Sequence, residues 1–336
     1  MIRRIILAVA ATSYLLAAPP AGSTETIKLA TLAPEGSPWH NILRDLGENW
    51  KTASYGAVQL RIYPGGIAGD EPDMVRKMRI GQIDAAALTG FGLAQIAPEF
   101  EAFQLPMMLG SDDELEYVRS KVGGTLEGLL ESRGFKLLTW GDAGWVYLFA
   151  QEPVVDPTDL KKLRLFVWSG NTAYAEHLRD AGFRPVPLAA TEIHTALQSG
   201  LIQAFATTPI AALSFQWFGL AKNMTDLRWA PLTGAIIITL SKWRAIPAPT
   251  QEQLLRSARE TGARLGADVR RFNQEAIEVM KAHGLRIVHV PPAIVSAWEK
   301  EVRLGYPKLI GPVVPAAIAK QVEYHRNQFR ASRQGN

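Results

Sequence analysis

The sequence contains no cysteine, which excludes disulfide bonds, thiolate nucleophiles, zinc ribbons and cysteine-ligated iron–sulfur clusters. It also lacks a strong excess of either charge, because 36 lysines and arginines stand against 32 aspartates and glutamates. So small a bias gives no electrostatic basis for binding nucleic acid. The chain does have the balance of a folded globular protein, with 47% hydrophobic and 20% charged residues among its 336.

An apolar run at the N-terminus has the features of a secretory signal peptide. Arg3 and Arg4 precede an apolar stretch over residues 5–18, and small residues follow it up to Ser23. The stretch is shorter than the roughly 20 residues that span a bilayer, so a retained membrane anchor is the weaker alternative. The absence of cysteine argues against a lipid anchor at the cleavage point. We therefore predict that residues 1–23 are a signal peptide and that the mature protein is exported.

The rest of the chain alternates short apolar segments with amphipathic ones, which is typical of an α/β protein. Segments 26–32, 58–63 and 83–89 are predicted strands with helices between them. Such alternation builds a parallel sheet, and ligands bind at the carboxyl ends of its strands.

Three longer segments indicate more than one lobe. The apolar segments 137–150 and 228–240 are too long for one strand of a compact sheet, so we expect both to run from one lobe into the other. From Pro249 to Gly284, apolar residues recur at helical spacing and predict an unusually long helix. A helix of that length often braces two lobes.

Catalytic and metal-binding signals are weak throughout the sequence. The histidines show no i, i+4 pair, and neither a phosphate-binding loop nor a nucleophile elbow occurs. Gly90-Phe91-Gly92 lacks the third glycine of a dinucleotide fingerprint, so we interpret it as a turn after a strand. The acidic run at 112–116 lacks the spacing of a calcium loop and predicts a helix start. We therefore expect no catalytic residue, no metal site and no cofactor.

Two segments combine aromatic and polar side chains in a way that suits a small-molecule cleft. Residues 163–168 alternate along a strand, so that one face is aliphatic and the other carries two aromatic rings and an arginine. Residues 206–218 place hydroxyl groups and aromatic rings directly after another strand. The alternative is that these rings only pack two lobes together. The candidate ligand-binding residues are Phe91, Trp145, Tyr147, Arg164, Phe166, Trp168, Thr207, Thr208, Phe215 and Trp217.

The sequence resembles the substrate-binding proteins of tripartite ATP-independent periplasmic (TRAP) transporters over nearly the whole mature chain. Each matching segment is modest alone, and their order and spacing together are specific. The segments are LATLAP at 29–34, SPW at 37–39, GDE at 69–71, MVRKM at 74–78, GQID at 81–84, QLP at 104–106, DLKKL at 159–163 and TEIHTALQSG at 191–200.

The resemblance implies the two-lobed periplasmic binding protein fold, an α/β fold with mixed sheets flanked by helices, cross-over strands and a long bracing helix. It also implies that a small molecule is enclosed between the lobes and delivered to the permease subunits of a membrane transporter, without catalysis. The lobes are predicted at residues 24–145 plus 232–271 and at residues 146–231 plus 272–336.

Two departures from the family pattern change the expected ligand. Most members hold an organic acid through an arginine on the strand after a Leu-Lys-Gly-Leu stretch, and here that position is Phe166, with Arg164 two residues earlier. A second segment, which in the family contains an acidic residue and an asparagine, contains neither here and has the sequence QAFATTP at 203–209. An arginine binds a carboxylate bidentately, and a phenylalanine cannot. We therefore expect an apolar or neutral ligand, with carboxylate binding through Arg164 as the alternative.

The missing arginine also resembles a divergent branch of the family, some members of which pair with an accessory helical-repeat protein of the periplasm. Two other functions stay open at this point. One is a sensory partner that presents its ligand to a membrane kinase. The other, less favoured, is a periplasmic enzyme on the same scaffold, which would need an acid–base pair that the residues do not reveal.

Overall fold

The structure is a computed structural model that describes residues 24–334, so the predicted signal peptide at residues 1–23 lies outside the described part. The described strands, in chain order, are β1 (Glu25–Thr31), β2 (Val58–Tyr63), β3 (Ala85–Thr89), β4 (Phe135–Trp140), β5 (Gly144–Trp145), β6 (Tyr147–Ala150), β7 (Arg164–Trp168), β8 (Arg184–Leu188), β9 (Ala204–Thr207), β10 (Asn223–Thr225), β11 (Pro231–Leu232), β12 (Gly234–Thr239) and β13 (Arg286–Val288).

Helices alternate with these strands, as the sequence pattern predicts. The described α-helices are α1 (Pro38–Ala53), α2 (Glu71–Arg79), α3 (Gly90–Ala94), α4 (Asp112–Ser132), α5 (Pro157–Lys161), α6 (Thr172–Asp180), α7 (Ile193–Gln198), α8 (Pro209–Ser214), α9 (Leu240–Arg244), α10 (Ala248–Ala282), α11 (Pro292–Leu309) and α12 (Ala316–Gln334). Short 3-10 helices lie at Pro98–Gln104, Ala190–Glu192 and Trp217–Gly219. Within residues 24–334, no helix combines the length and the apolar character that a membrane crossing requires.

The first lobe is built on a five-stranded mixed sheet in the order β2-β1-β3-β12-β4. β1 runs parallel to β2 and β3, whereas β12 runs antiparallel to both of its neighbours, β3 and β4. Because side chains alternate along each strand, the sheet has an apolar core on each face. Leu29 of β1 packs into one core and the adjacent Ala30 into the other.

The second lobe is built on a six-stranded mixed sheet in the order β13-β10-β6-β9-β7-β8. β7 runs parallel to β8 and β9, and β6 runs antiparallel to β9 and β10. Phe166 packs into the core on one face of this sheet, and Leu165 and Val167 pack into the core on the other. The two-faced pattern predicted for residues 163–168 is therefore present.

The chain passes between the lobes in two short paired segments. The predicted long strand at 137–150 is divided into β4, β5 and β6, and β5 pairs antiparallel with β11. After the first break, at residues 141–143, β5 begins at Gly144, whose φ of 101° lies in the left-handed region. A Cβ at this position would lie 2.5 Å from Nδ2 of Asn273, so glycine is required both by backbone geometry and by space. The predicted cross-over connection is confirmed, although each strand is interrupted.

Helix α10 spans both lobes, as the long apolar pattern predicts. It contacts α1 and β4 of the first lobe and α8 of the second. The lobe boundaries themselves stay a prediction. Residues 272–336 were predicted to belong to the second lobe, yet α12 packs on α4 of the first, where Nε of Arg330 lies 2.6 Å from a carboxylate oxygen of Glu114. We propose that α12 belongs with the first lobe.

Candidate ligand-binding cleft

A cleft of about 160 Å³ lies between the two lobes. The ends of β1 and β3 border it from the first lobe, and the ends of β7 and β9 border it from the second. The side chains of Thr261 and Leu265 on α10 line it as well. The cleft therefore lies at the carboxyl ends of parallel strands, where open α/β sheets bind their ligands.

Strand β7 supplies two aromatic walls of the cleft. Phe166 and Trp168 both line it, and their ring centroids lie 5.6 Å apart in an edge-to-face arrangement. Arg164 begins the same strand but does not reach the cleft. Its side chain is exposed, and its Nε donates hydrogen bonds to the carbonyls of Gly200 at 3.1 Å and Leu201 at 3.0 Å. Arg164 shares one face of β7 with Phe166 and Trp168, as predicted, but it lies at the end of the strand that is farther from the cleft.

The candidate residues at the end of β9 and after it also include some that line the cleft and one that does not. Thr207 lines the cleft, whereas Thr208 is fully buried and its hydroxyl accepts a hydrogen bond from the backbone N–H of Ala211 at the start of α8. Thr208 is therefore a helix cap and not a wall of the cleft. Phe215 and Trp217 both line the cleft and are stacked, with ring centroids 4.5 Å apart.

Three other candidate residues lie outside this cleft. Trp145 is buried in the core of the first lobe, where its Nε1 donates to Oδ1 of Asp112 at 3.0 Å. Tyr147 packs in the cores without bordering the cleft. Phe91 stacks on Trp168, with centroids 4.5 Å apart, and borders a separate cavity behind that ring. The structure places these three predicted residues outside the cleft, because tertiary packing and not residue type decides which aromatic rings face it.

The cleft also contains a buried carboxyl group that sequence reasoning missed. Glu71 is the first residue of α2 and is almost fully buried. Its two carboxylate oxygens accept hydrogen bonds from the backbone N–H of Thr89 at 2.7 Å and from the Thr89 hydroxyl at 2.6 Å. Burial raises the pKa of Glu71 to about 7, even though these hydrogen bonds favour the charged form. Acidic residues in a first helical turn are common and usually exposed, so the sequence offered no signal.

The electrostatic character of the cleft follows from what lines it. Among the described residues that border it, none is a lysine, arginine or histidine, and Glu71 is the only ionisable one. The remaining polar groups are mostly threonine hydroxyls. The hydroxyl of Thr233 is buried and has no hydrogen-bond partner within residues 24–334. Groups of three or more potential metal ligands are also absent from that part of the chain.

Two α/β lobes with a ligand-sized cleft between them form an architecture that suits a solute-binding receptor. A model of the family described as "Bacterial extracellular solute-binding protein, family 7" matches residues 29–310, and the chain belongs to that family. The predicted relationship to TRAP solute receptors and the predicted two-lobed α/β fold are both confirmed.

Relatives of known name or structure agree with this membership. The chain is 24% identical over 294 residues to the "C4-dicarboxylate-binding periplasmic protein DctP" of Rhodobacter capsulatus, covering 86% of this chain and 88% of that one. A TRAP periplasmic solute-binding protein from Citrobacter koseri with bound D-glucuronate is 26% identical, with a TM-score of 0.77 and 88% and 98% of the two chains covered. One from Ralstonia eutropha H16 with bound (S)-2-acetolactate is 21% identical, with a TM-score of 0.84 and 90% and 99% covered.

Proposed function

We propose that this protein is an exported TRAP receptor for a small, uncharged and largely apolar molecule. The observation that carries the proposal is the absence of any cationic side chain among the described residues that line the cleft. The strand position at which the family pattern places an arginine is occupied by Phe166, which is 7% exposed and lines the cleft. Arg164, the alternative carboxylate ligand, points away and is bound to two backbone carbonyls.

The energetics favour a neutral ligand over the acids that the relatives bind. Burying a carboxylate without a cationic partner costs several kcal/mol, and the neighbouring carboxyl of Glu71 adds repulsion whenever it is ionised. By contrast, an apolar ligand against the rings of Phe166, Trp168 and Phe215 gains about 25 cal/mol for each Å² of apolar surface removed from water. The unpartnered hydroxyl of Thr233 can satisfy one polar group of such a ligand.

The rest of the proposal follows from family membership. The receptor would leave the cytoplasm through the predicted signal peptide at residues 1–23 and deliver its ligand to TRAP permease subunits, without catalysing a reaction. An accessory helical-repeat protein is a further partner to test. It rests on the phenylalanine at residue 166, where the family pattern has an arginine.

The test is to compare wild-type protein with Phe166→Arg for binding of neutral and anionic compounds by calorimetry. We expect wild type to show no binding of succinate, D-glucuronate or acetolactate, and small molecules extracted from freshly purified protein to be neutral. Phe166→Arg should gain affinity for a carboxylate and lose the extracted ligand. Arg164→Ala is the matched control, because it removes an arginine from the same strand at a position outside the cleft. Micromolar binding of these acids by wild type would refute the proposal.

A further inference from the structure

A second cavity, of about 210 Å³, lies beyond the Phe91–Trp168 stack and is separate from the cleft. Phe166 and Trp168 stand in the wall between the two cavities and border both. The second cavity is also formed by both lobes, since the 3-10 helix Pro98–Gln104 borders it from the first lobe and α6 and α11 border it from the second. The ligand proposed for the cleft does not occupy this second cavity.

One polar feature of this cavity is the carboxyl of Glu101, which is hydrogen-bonded to a neighbouring amide. Nδ2 of Asn171 donates to Oε1 of Glu101 at 3.4 Å, and Oδ1 of Asn171 is occupied by the backbone N–H of Tyr174. Within residues 24–334, Glu101 forms no ion pair, and burial alone raises its pKa to about 7. Gln104 borders the same cavity, and its Nε2 is buried without a partner among those residues.

The other ionisable groups that border the cavity do not neutralise Glu101. Glu301 is already paired with Lys161, at 2.7 Å. Burial and the nearby Lys308 lower the pKa of His177, which keeps its ring uncharged at neutral pH. No lysine or arginine borders the cavity among the described residues. Among the described residues that border the cavity, Glu101 therefore has no cationic partner.

The remaining walls are apolar and combine aliphatic with aromatic side chains. The rings of Phe91, Trp168, Tyr174 and Trp229 border the cavity, and Phe91 and Trp168 are already stacked on each other. Ring faces attract cations through their quadrupole, and aromatic cages are a known means of binding organic ammonium groups. A desolvated carboxylate gains most from a cation that also brings an apolar body into the same cavity.

We propose that this second cavity binds a small alkyl- or arylammonium ion, with the Glu101 carboxylate as its counter-ion and the aromatic walls around its apolar part. Because Glu101 belongs to the first lobe and Tyr174 to the second, such an ion would connect the lobes next to the cleft. The proposal does not depend on the nature of the ligand in the cleft, since the two cavities have different polar groups.

The test measures binding of benzylammonium, isobutylammonium and tetramethylammonium to the full chain by calorimetry and ligand-observed NMR. Benzyl alcohol and benzoate serve as neutral and anionic counterparts of the first probe. We expect at least one ammonium ion to bind and both counterparts to bind much more weakly. Glu101→Gln should weaken ammonium binding about thirtyfold or more, because it removes the charge and keeps the shape.

The matched control is Glu99→Gln, two residues earlier on the same 3-10 helix, where the carboxylate pairs with Arg133 at 3.1 Å and does not border the cavity. It makes the same change in net charge and should leave ammonium affinity unaltered. Equal affinity for benzyl alcohol, undiminished ammonium binding in Glu101→Gln, or no binding of any of the three ions at millimolar concentration would each overturn the proposal. If Glu101→Gln does not fold, the proposal is tested by comparing how strongly wild type binds benzylammonium, benzyl alcohol and benzoate. Failure of all ammonium probes would leave the Phe166→Arg result in the cleft unaffected.

Discussion

Replacing Glu71 by glutamine should change how the stability of the protein depends on pH. The ordinary pKa of a glutamate carboxyl is 4.5, and burial raises that of Glu71 to about 7 in the folded protein. Between these two values the folded state retains a proton that the unfolded state has released. Stability must therefore fall as pH rises through this interval, because the folded state binds more protons than the unfolded state.

The size of the effect follows from the shift. One pKa unit corresponds to 1.36 kcal/mol, so a rise from 4.5 to about 7 costs about 3 kcal/mol of stability once the pH exceeds the folded-state pKa. Glutamine does not titrate, and its side-chain carbonyl can still accept the hydrogen bond from the Thr89 N–H. Glu71→Gln should therefore match wild type in acid and exceed it by up to about 3 kcal/mol above neutral pH.

The assay is urea unfolding of both proteins at a series of pH values, followed by tryptophan fluorescence. The quantity to compare is the difference in unfolding free energy between variant and wild type, which removes the contributions of other titrating groups such as Glu101. Glu48→Gln, a change of an exposed carboxyl on α1, is the matched control and should show no such trend. A difference for Glu71→Gln that stays constant with pH, or that favours wild type above neutral pH, would refute the assignment of a desolvated carboxyl to the cleft.

Two other substitutions test the packing around the site. Trp145→Phe should destabilise the protein by about 1–3 kcal/mol in denaturant titrations, since Asp112 loses a buried hydrogen-bond donor. The variant should bind ligand with wild-type affinity. A weakened affinity would show that Trp145 contributes to the ligand-binding cleft. Gly234→Ala should lower the melting temperature strongly, because the new Cβ would lie 2.7 Å from the backbone oxygens of Gly141 and Leu88. Gly128→Ala on α4 has no atom within 4 Å of the new Cβ and should be neutral or slightly stabilising, so equal melting of the two variants would contradict the argument.

Local pattern was sufficient for the α/β class and for the long helix. Alternating apolar and amphipathic segments predicted the α/β class, and apolar residues at helical spacing predicted α10, because periods of two and of 3.6 residues are properties of the backbone itself. The same period-two argument placed Phe166 and Trp168 on one face of β7, and both line the cleft. The absence of the family arginine at residue 166 was also readable from the sequence alone.

Only the tertiary structure decided which residues on a correct face reach the cleft. Periodicity gives the face of a strand but not the position along it that meets the other lobe, so Arg164 was grouped with Phe166 although it ends on the carbonyls of Gly200 and Leu201. The burial of Glu71 and Glu101 could not be predicted from the sequence either. Whether a carboxyl is desolvated depends on elements distant in sequence that close over it, and no local pattern of residues records that.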